Sequence, residues 1–239
     1  MKTIAIFGAG PALGLSLAQR FGREGYRVAL VARRQESLDE LAARLPDVET
    51  ATFRADLLDP AQLTAAVAAI EDRFGPVDVA VWSPGGLDQA RVAVLDVDPD
   101  ELPNQLELLL LAPIRLARLL LPGMRARGDG GLLYASGTSA TNPVPQLGNV
   151  GIALAGMRNY VHSAHAVLAD DGVYVGVVPI GGLIRGSAAE AVVMSASGEF
   201  ADFDLDALKL ALLNPADIAD VFWDLNAKRD RVEAVVGGF

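Results

Sequence analysis

The apolar run Ile4-Ala5-Ile6-Phe7 leads without a break into Gly8-Ala9-Gly10-Pro11-Ala12-Leu13-Gly14, and an Ala/Leu-rich helical pattern follows from about Leu15 to Arg23. A buried strand, a glycine turn and a helix in that order open a β-α-β crossover, and the glycine spacing suits a dinucleotide. Gly8 permits the tight turn, Gly10 lets backbone approach a pyrophosphate, and Gly14 lets helix and strand pack closely. The phosphates would rest on unpaired N–H groups at the helix N-terminus, where the macrodipole favours negative charge.

The alternation continues to the end of the chain. Apolar runs predict strands at Thr3–Phe7, Arg27–Ala32, Glu49–Arg54, Val77–Trp82, Gly131–Ser136, Val173–Val178 and Val232–Val236. Helical patterns lie between them at about Ala12–Arg23, Ser37–Arg44, Pro60–Phe74, Pro103–Arg125, Gln146–Leu168 and Asn214–Lys228. Crossover-length connections imply parallel strands, helices on both faces and right-handed crossovers, a doubly wound α/β fold of about seven strands. The 239 residues, 51% hydrophobic and 21% charged, are expected to form one domain, 1–239, with ample core. Only the small-residue-rich stretch from about 185 to 203 breaks the alternation, and it is read as a lid over a substrate.

A net charge of −10 argues against nucleic acid or an anionic membrane as partner. The chain has no cysteine, hence no disulfide framework and no thiolate zinc site. Met1–Thr3 run straight into the first strand with no room for a signal peptide, so a cytoplasmic location is expected. Leu106–Leu121 is strongly apolar, but Glu107, Arg115, Arg118 and Pro113 interrupt it, so it is too short to span a bilayer. It reads as core on one side and a partner subunit on the other, in a homodimer or homotetramer.

The second strand narrows the cofactor. Enzymes selecting NAD(H) place an acid near the end of that strand for the ribose 2′-OH. This strand ends Val31-Ala32-Arg33-Arg34, with two arginines and no acid, and guanidinium groups suit a 2′-phosphate. NADP(H) is therefore favoured over NAD(H).

Over essentially its whole length the sequence resembles the short-chain dehydrogenase/reductase family. The family's Gly-x-x-x-Gly-x-Gly stands here as Gly8, Ala12 and Gly14, Asp56-Leu57 follows the third strand, and Pro179-Ile180-Gly181-Gly182 follows the sixth. The resemblance implies a seven-stranded parallel sheet in dimers or tetramers. It also implies a cofactor held by Gly8, Gly10, Ala12, Leu13, Gly14, Arg33, Arg34, Asp56, Leu57, Ser83, Gly85, Pro179, Gly181 and Leu183.

The family's catalytic residues do not carry over. Its Asn-Asn-Ala-Gly is replaced by Trp82-Ser83-Pro84-Gly85, its helical Asn by Leu109, and its Ser-Ser by Ser136-Gly137. The Tyr-x-x-x-Lys pair falls near Asn149-Val150 and Ala153-Leu154. The tyrosines are Tyr26, Tyr134, Tyr160 and Tyr174, and four residues on stand Leu30, Thr138, Ala164 and Val178. The lysines, Lys2, Lys209 and Lys228, lie towards the two ends of the chain.

Reducing a ketone creates an alkoxide that needs hydrogen bonds and then a proton, and losing a positioned acid costs about 10²–10⁴ in rate. Ser136 and Asn149 can donate hydrogen bonds but cannot act as acids near neutral pH. Two readings follow. Either hydride goes to an activated small molecule, an iminium or an enone, oriented by Ser136, Thr138, Ser139 and Asn142 after the fifth strand together with Asn149; or the chain binds NADP(H) without chemistry, as a sensor or regulator of a partner. His162 and His165 form a helical pair but lack further His or Cys ligands, so no metal is expected. Arg185, beyond the sixth strand, and Asp88 and Arg91, near the cleft rim, are weaker candidates for anion or surface roles.

Overall fold

The computed structural model describes residues 1–85, 91–194 and 211–238. Asp88 and the part of the expected lid from 195 to 203 lie outside the described residues. Strands β1 (Thr3–Phe7), β2 (Arg27–Ala32), β3 (Thr50–Arg54), β4 (Val79–Trp82), β5 (Gly130–Gly137), β6 (Val173–Ile184) and β7 (Ala211–Leu213) form one sheet in the order β3-β2-β1-β4-β5-β6-β7. An eighth strand, β8 (Val236–Gly237), pairs with β6, and every pairing is parallel. The sequence order reverses between β1 and β4, which opens a crevice at their carboxyl ends.

The near-continuous apolar strands are buried on both faces, as a parallel sheet requires. On one face Leu17, Phe21, Leu38, Leu41, Ile218 and Phe222 pack beside Ile4, Ile6 and Leu30. These side chains come from α1 (Leu13–Arg23), α2 (Gln35–Ala43) and α8 (Pro215–Lys228), the last preceded in the chain by the short helix α7 (Ala188–Met194). The other face is covered by α3 (Pro60–Phe74), α5 (Ala112–Arg127) and α6 (Gly148–Leu168), with Phe7, Trp82 and Tyr134 against Leu116, Met157 and Val161.

β1, β2 and α3 carry their own boundary signals. Asp59 caps α3 by accepting from Ala61 N and Gln62 N at 2.8 and 3.2 Å, Pro60 stands in its first turn, and Gly75 ends it at φ 77°. Several elements depart from the sequence reading, among them the added strand β7. The sixth strand continues through Ile184, because Pro179 and Ile180 keep register with Ser136 and Gly137 and the chain beyond pairs with β7 and β8. The last strand shrinks to Val236–Gly237 with an isolated bridge between Glu233 and Val177. The single helix expected over Pro103–Arg125 is α4 (Leu102–Leu106), a π-turn at Glu107–Leu111, and α5.

Candidate active site

A cleft of about 1250 Å3 opens at the carboxyl ends of the strands. Of the residues expected to hold the cofactor, Gly8, Gly10, Ala12, Leu13, Gly14, Arg33, Arg34, Asp56, Leu57, Ser83, Gly85 and Leu183 line it together, as do Ser136 and Asn149. Pro179 and Gly181 are not among its lining residues, whereas Ile180 and Gly182 are. Gly181 packs against the chain after β8 instead, where a Cβ on it would lie 2.9 Å from Gly238 N.

The turn after β1 is tied to its neighbours. Gly8 N and Ala9 N both donate to Val31 O, at 2.9 and 3.0 Å, and Ser83 N donates to Phe7 O at 2.8 Å. Gly8 has φ 86°, and a Cβ there would lie 2.5 Å from the backbone of Pro84. A Cβ on Gly14 would lie 2.9 Å from the Ala9 Cα, so α1 begins flush against the turn. Gly10 differs, since a Cβ there would meet nothing within 4 Å. Its backbone borders the open cleft.

The N-terminus of α1 faces this space with no side-chain cap and no acid in its first turn, whereas α3 and α8 are capped by Asp59 and Asn214. Uncapped amides beside an accessible Gly10 backbone fit a pyrophosphate. At the β2 end Arg33 and Arg34 are exposed, joined by Ser37 and Arg44, and Arg54 Nε holds the Arg33 carbonyl at 3.2 Å. Asp56 is fixed on the same rim, its Oδ1 accepting from Leu58 N at 3.0 Å and its N–H donating to Gln62 Oε1 at 3.0 Å. The donor set therefore fits a phosphorylated dinucleotide.

The other end lies between β4, β5 and α6. Ser136 is 9% exposed and its Oγ has no hydrogen-bond partner; the Ser83 Oγ is likewise buried and unpartnered. Asn149, in the first turn of α6, is also buried, but its Oδ1 accepts from Val92 N at 3.0 Å and Val150 N at 2.9 Å. Gly148 N donates to Val92 O at 2.9 Å. The start of α6 thus clamps the segment after β4, a role that the sequence did not disclose. Leu108 and Leu109 lie in the π-turn and both line the cleft, Leu108 being also buried in the core. A π-turn shifts the helix face by one residue, and such turns recur at functional sites.

The remaining candidates lie elsewhere. Arg185 is exposed and does not line the cleft. His162 Nε2 contacts Glu233 at 3.0 Å, and His165 Nδ1 contacts Val175 O at 2.8 Å. Both serve the packing of α6. Under the cleft floor, the Tyr134 hydroxyl and Trp82 Nε1 are buried without partners, and burial pushes the Tyr134 phenol well above its ordinary pKa.

Comparison with known proteins agrees with this geometry. The chain is 33% identical over 150 residues to dehydrogenase/reductase SDR family member 7B of Bos taurus, a match covering 59% of this chain and 46% of that protein. The chain therefore spans less than half the length of this curated relative. L-sorbose reductase of Gluconobacter frateurii, solved with NADPH and L-sorbose, superposes with a TM-score of 0.84 at 25% identity, covering 99% of this chain and 95% of that one. An NADPH-bound short chain oxidoreductase of Pseudomonas aeruginosa containing an atypical catalytic center shares the fold, with a TM-score of 0.82 at 23% identity, covering 99% of this chain and 96% of that one. The short chain dehydrogenase family model matches residues 2–192. With the sheet order, the glycine turn and the cleft already in place, that match makes the chain a member of the short chain dehydrogenase family.

Proposed function

We propose that the chain is an NADP(H)-dependent oxidoreductase that delivers hydride to an acceptor activated before it arrives, such as an iminium or an enone. One observation carries this reading: a single cleft joins the uncapped N-terminus of α1 to the unpartnered hydroxyl of Ser136. The turn from Gly8 to Gly14 would hold the pyrophosphate, Arg33 and Arg34 the 2′-phosphate, and Asp56 with Leu57 the adenine side. When bound, NADPH supplies the hydride. Ser136 orients the acceptor through its hydroxyl, and Asn149 keeps the neighbouring wall in place.

Titration with both cofactors tests the first half. NADPH should bind at least about tenfold tighter than NADH, and Arg33→Ala with Arg34→Ala should erase most of that difference. Equal affinities would remove the NADP(H) assignment. A second reading, silent binding of NADP(H), draws support from Asn149, which stands near the expected acid position and spends its carbonyl oxygen on backbone. Stopped-flow loss of NADPH absorbance across ketones, imines and enones separates the two. Tight binding with no turnover of any class would favour the silent form.

Leu111 at the end of the π-turn and Leu119 on α5 are 40% and 37% exposed, and Ile152 on α6 is 46% exposed. They favour a self-association face on this side, and light scattering at the mass of a monomer would remove it. No helix among the described residues is long and apolar enough to cross a membrane.

A further inference from the structure

We propose that the substrate end of the cleft takes a lipophilic cation, an iminium, in preference to a neutral carbonyl or an anion; the proposal rests on the hydride-transfer reading above. Charge is divided along the cleft. Its lining cations, Arg33, Arg34 and Arg44, all belong to the β2–α2 end, where Glu40 and Asp56 also line it. At the other end, where α4 packs on α6, the charged lining residues are Asp98, Glu101 and Glu107. Glu107 is paired with Arg115 and contributes little net charge. Asp98 and Glu101 are exposed at the entrance, where Asp98 accepts from Asp100 N at 2.9 Å. Among the described residues no Lys, Arg or His lines this end.

Ser136 supplies an independent pointer. A serine hydroxyl 91% buried without a partner is costly unless a ligand meets it. Its oxygen carries two lone pairs that can face the positive C=N⁺ unit of an iminium whether or not the nitrogen bears a hydrogen. The same cleft is lined by Val97, Leu102, Leu108, Leu109, Leu154 and Leu183, which suit an apolar body. A charge spread over a C=N⁺ unit and its alkyl groups is weakly hydrated, so its desolvation here is modest beside that of a carboxylate. Two acids at the entrance attract it and repel anions.

The chemistry matches the residues present. Hydride from reduced nicotinamide forms the new C–H bond at the iminium carbon, and the C=N π pair moves onto nitrogen. The cation becomes a neutral amine while NADPH becomes NADP⁺. No proton is required, so no Tyr/Lys acid is missed.

The test uses the full chain with three acceptors: N-methyldihydroisoquinolinium, its uncharged isostere tetralone, and cyclohexenone. The iminium should consume NADPH fastest. KM for it should rise about fivefold in the double variant Asp98→Asn, Glu101→Gln, and similarly in wild type at high salt. Calorimetry on the chain loaded with NADP⁺ gives a second readout, in which N-methyltetrahydroisoquinolinium binds tighter than tetralone and the double variant removes the difference. Preference for tetralone or cyclohexenone, or a KM and a product affinity indifferent to both variant and salt, would overturn the cation site. If NADPH binds but no acceptor turns over, the hydride-transfer reading fails, and the calorimetric preference alone decides the cation site.

Discussion

At the β1–α1 end the cleft is lined by backbone: a glycine at φ 86°, a second glycine open to the cleft, and helix amides without a cap. At the β4–β5–α6 end it is lined by side chains, one unpartnered hydroxyl, one amide oxygen committed to two backbone donors, and a leucine in a π-turn. The contrast teaches that the two ends are constrained differently by the fold. Backbone recognition persists as long as the turn folds, and the turn is demanded by its packing against Pro84 and Val31. Side-chain chemistry has no such tether, so Leu109 and Asn149 occupy their positions without disturbing the sheet.

The largest effect should come from breaking the backbone end. Gly8→Ala places a Cβ against Pro84 in a left-handed conformation, and we expect a loss of about 3 kcal/mol in urea unfolding. Gly10→Ala should leave stability within about 0.5 kcal/mol, since no atom crowds it and its φ is not positive. It should nevertheless weaken NADPH binding roughly tenfold. If both variants unfold alike, the distinction between a structural and a ligand-facing glycine is wrong.

Asn149→Ala comes next. Val92 N and Val150 N would both lose a buried acceptor, which costs about 1–3 kcal/mol. Asn149→Asp keeps an acceptor oxygen and should recover part of that stability. A stability loss without this rescue would mean that the clamp is not what holds the wall.

The two ends were unequally legible in the sequence for the same physical reason. The glycine spacing, the Arg33-Arg34 pair, and the Asp59-Pro60 start of α3 are local signals, each readable from residues a few positions apart. Sequence reading places them well. The π-turn in Glu107–Leu111 hides in an unbroken leucine run, where every register looks equally apolar. Asn149 reads as a donor near a catalytic position, yet its partner Val92 is 57 residues away and only the folded chain brings them together. The continuation of β6 past Pro179 is set by β5, β7 and β8 rather than by its own residues.

A smaller effect depends on pH. Burial acts to raise the Glu233 carboxyl, but hydrogen bonds from Arg158 at 2.6 Å and His162 at 3.0 Å outweigh it and hold the pKa below the ordinary glutamate value. A depressed folded pKa contributes stability that is present above the unfolded value and lost as pH falls through the folded one. The contribution should be under about 1 kcal/mol and fade on acidification below the usual carboxylate range. Glu233→Gln should flatten that part of the urea-midpoint profile. Because this cluster ties α6 to the bridge at Val177, Gly8-turn properties such as NADPH affinity should not follow it.

The smallest change in stability is the sharpest comparison, since it concerns two hydroxyls two residues apart on one face of β5. Tyr134 and Ser136 are both buried and both lack a partner. Tyr134 is sealed among Trp82, Leu116 and Met157, whereas Ser136 lines the cleft. Tyr134→Phe removes an unmet polar group from the core and should be neutral or stabilising by up to about 1 kcal/mol, with turnover unaltered. Ser136→Ala should leave stability within about 0.5 kcal/mol for the same reason, yet lower kcat/KM for an activated acceptor roughly tenfold. Equal kinetics for the two variants would make Ser136 another core hydroxyl and leave the cleft without a polar anchor. Unequal kinetics with equal stability would show that the same orphaned oxygen is structural noise in one place and a substrate contact in the other, the difference being only whether a ligand can reach it.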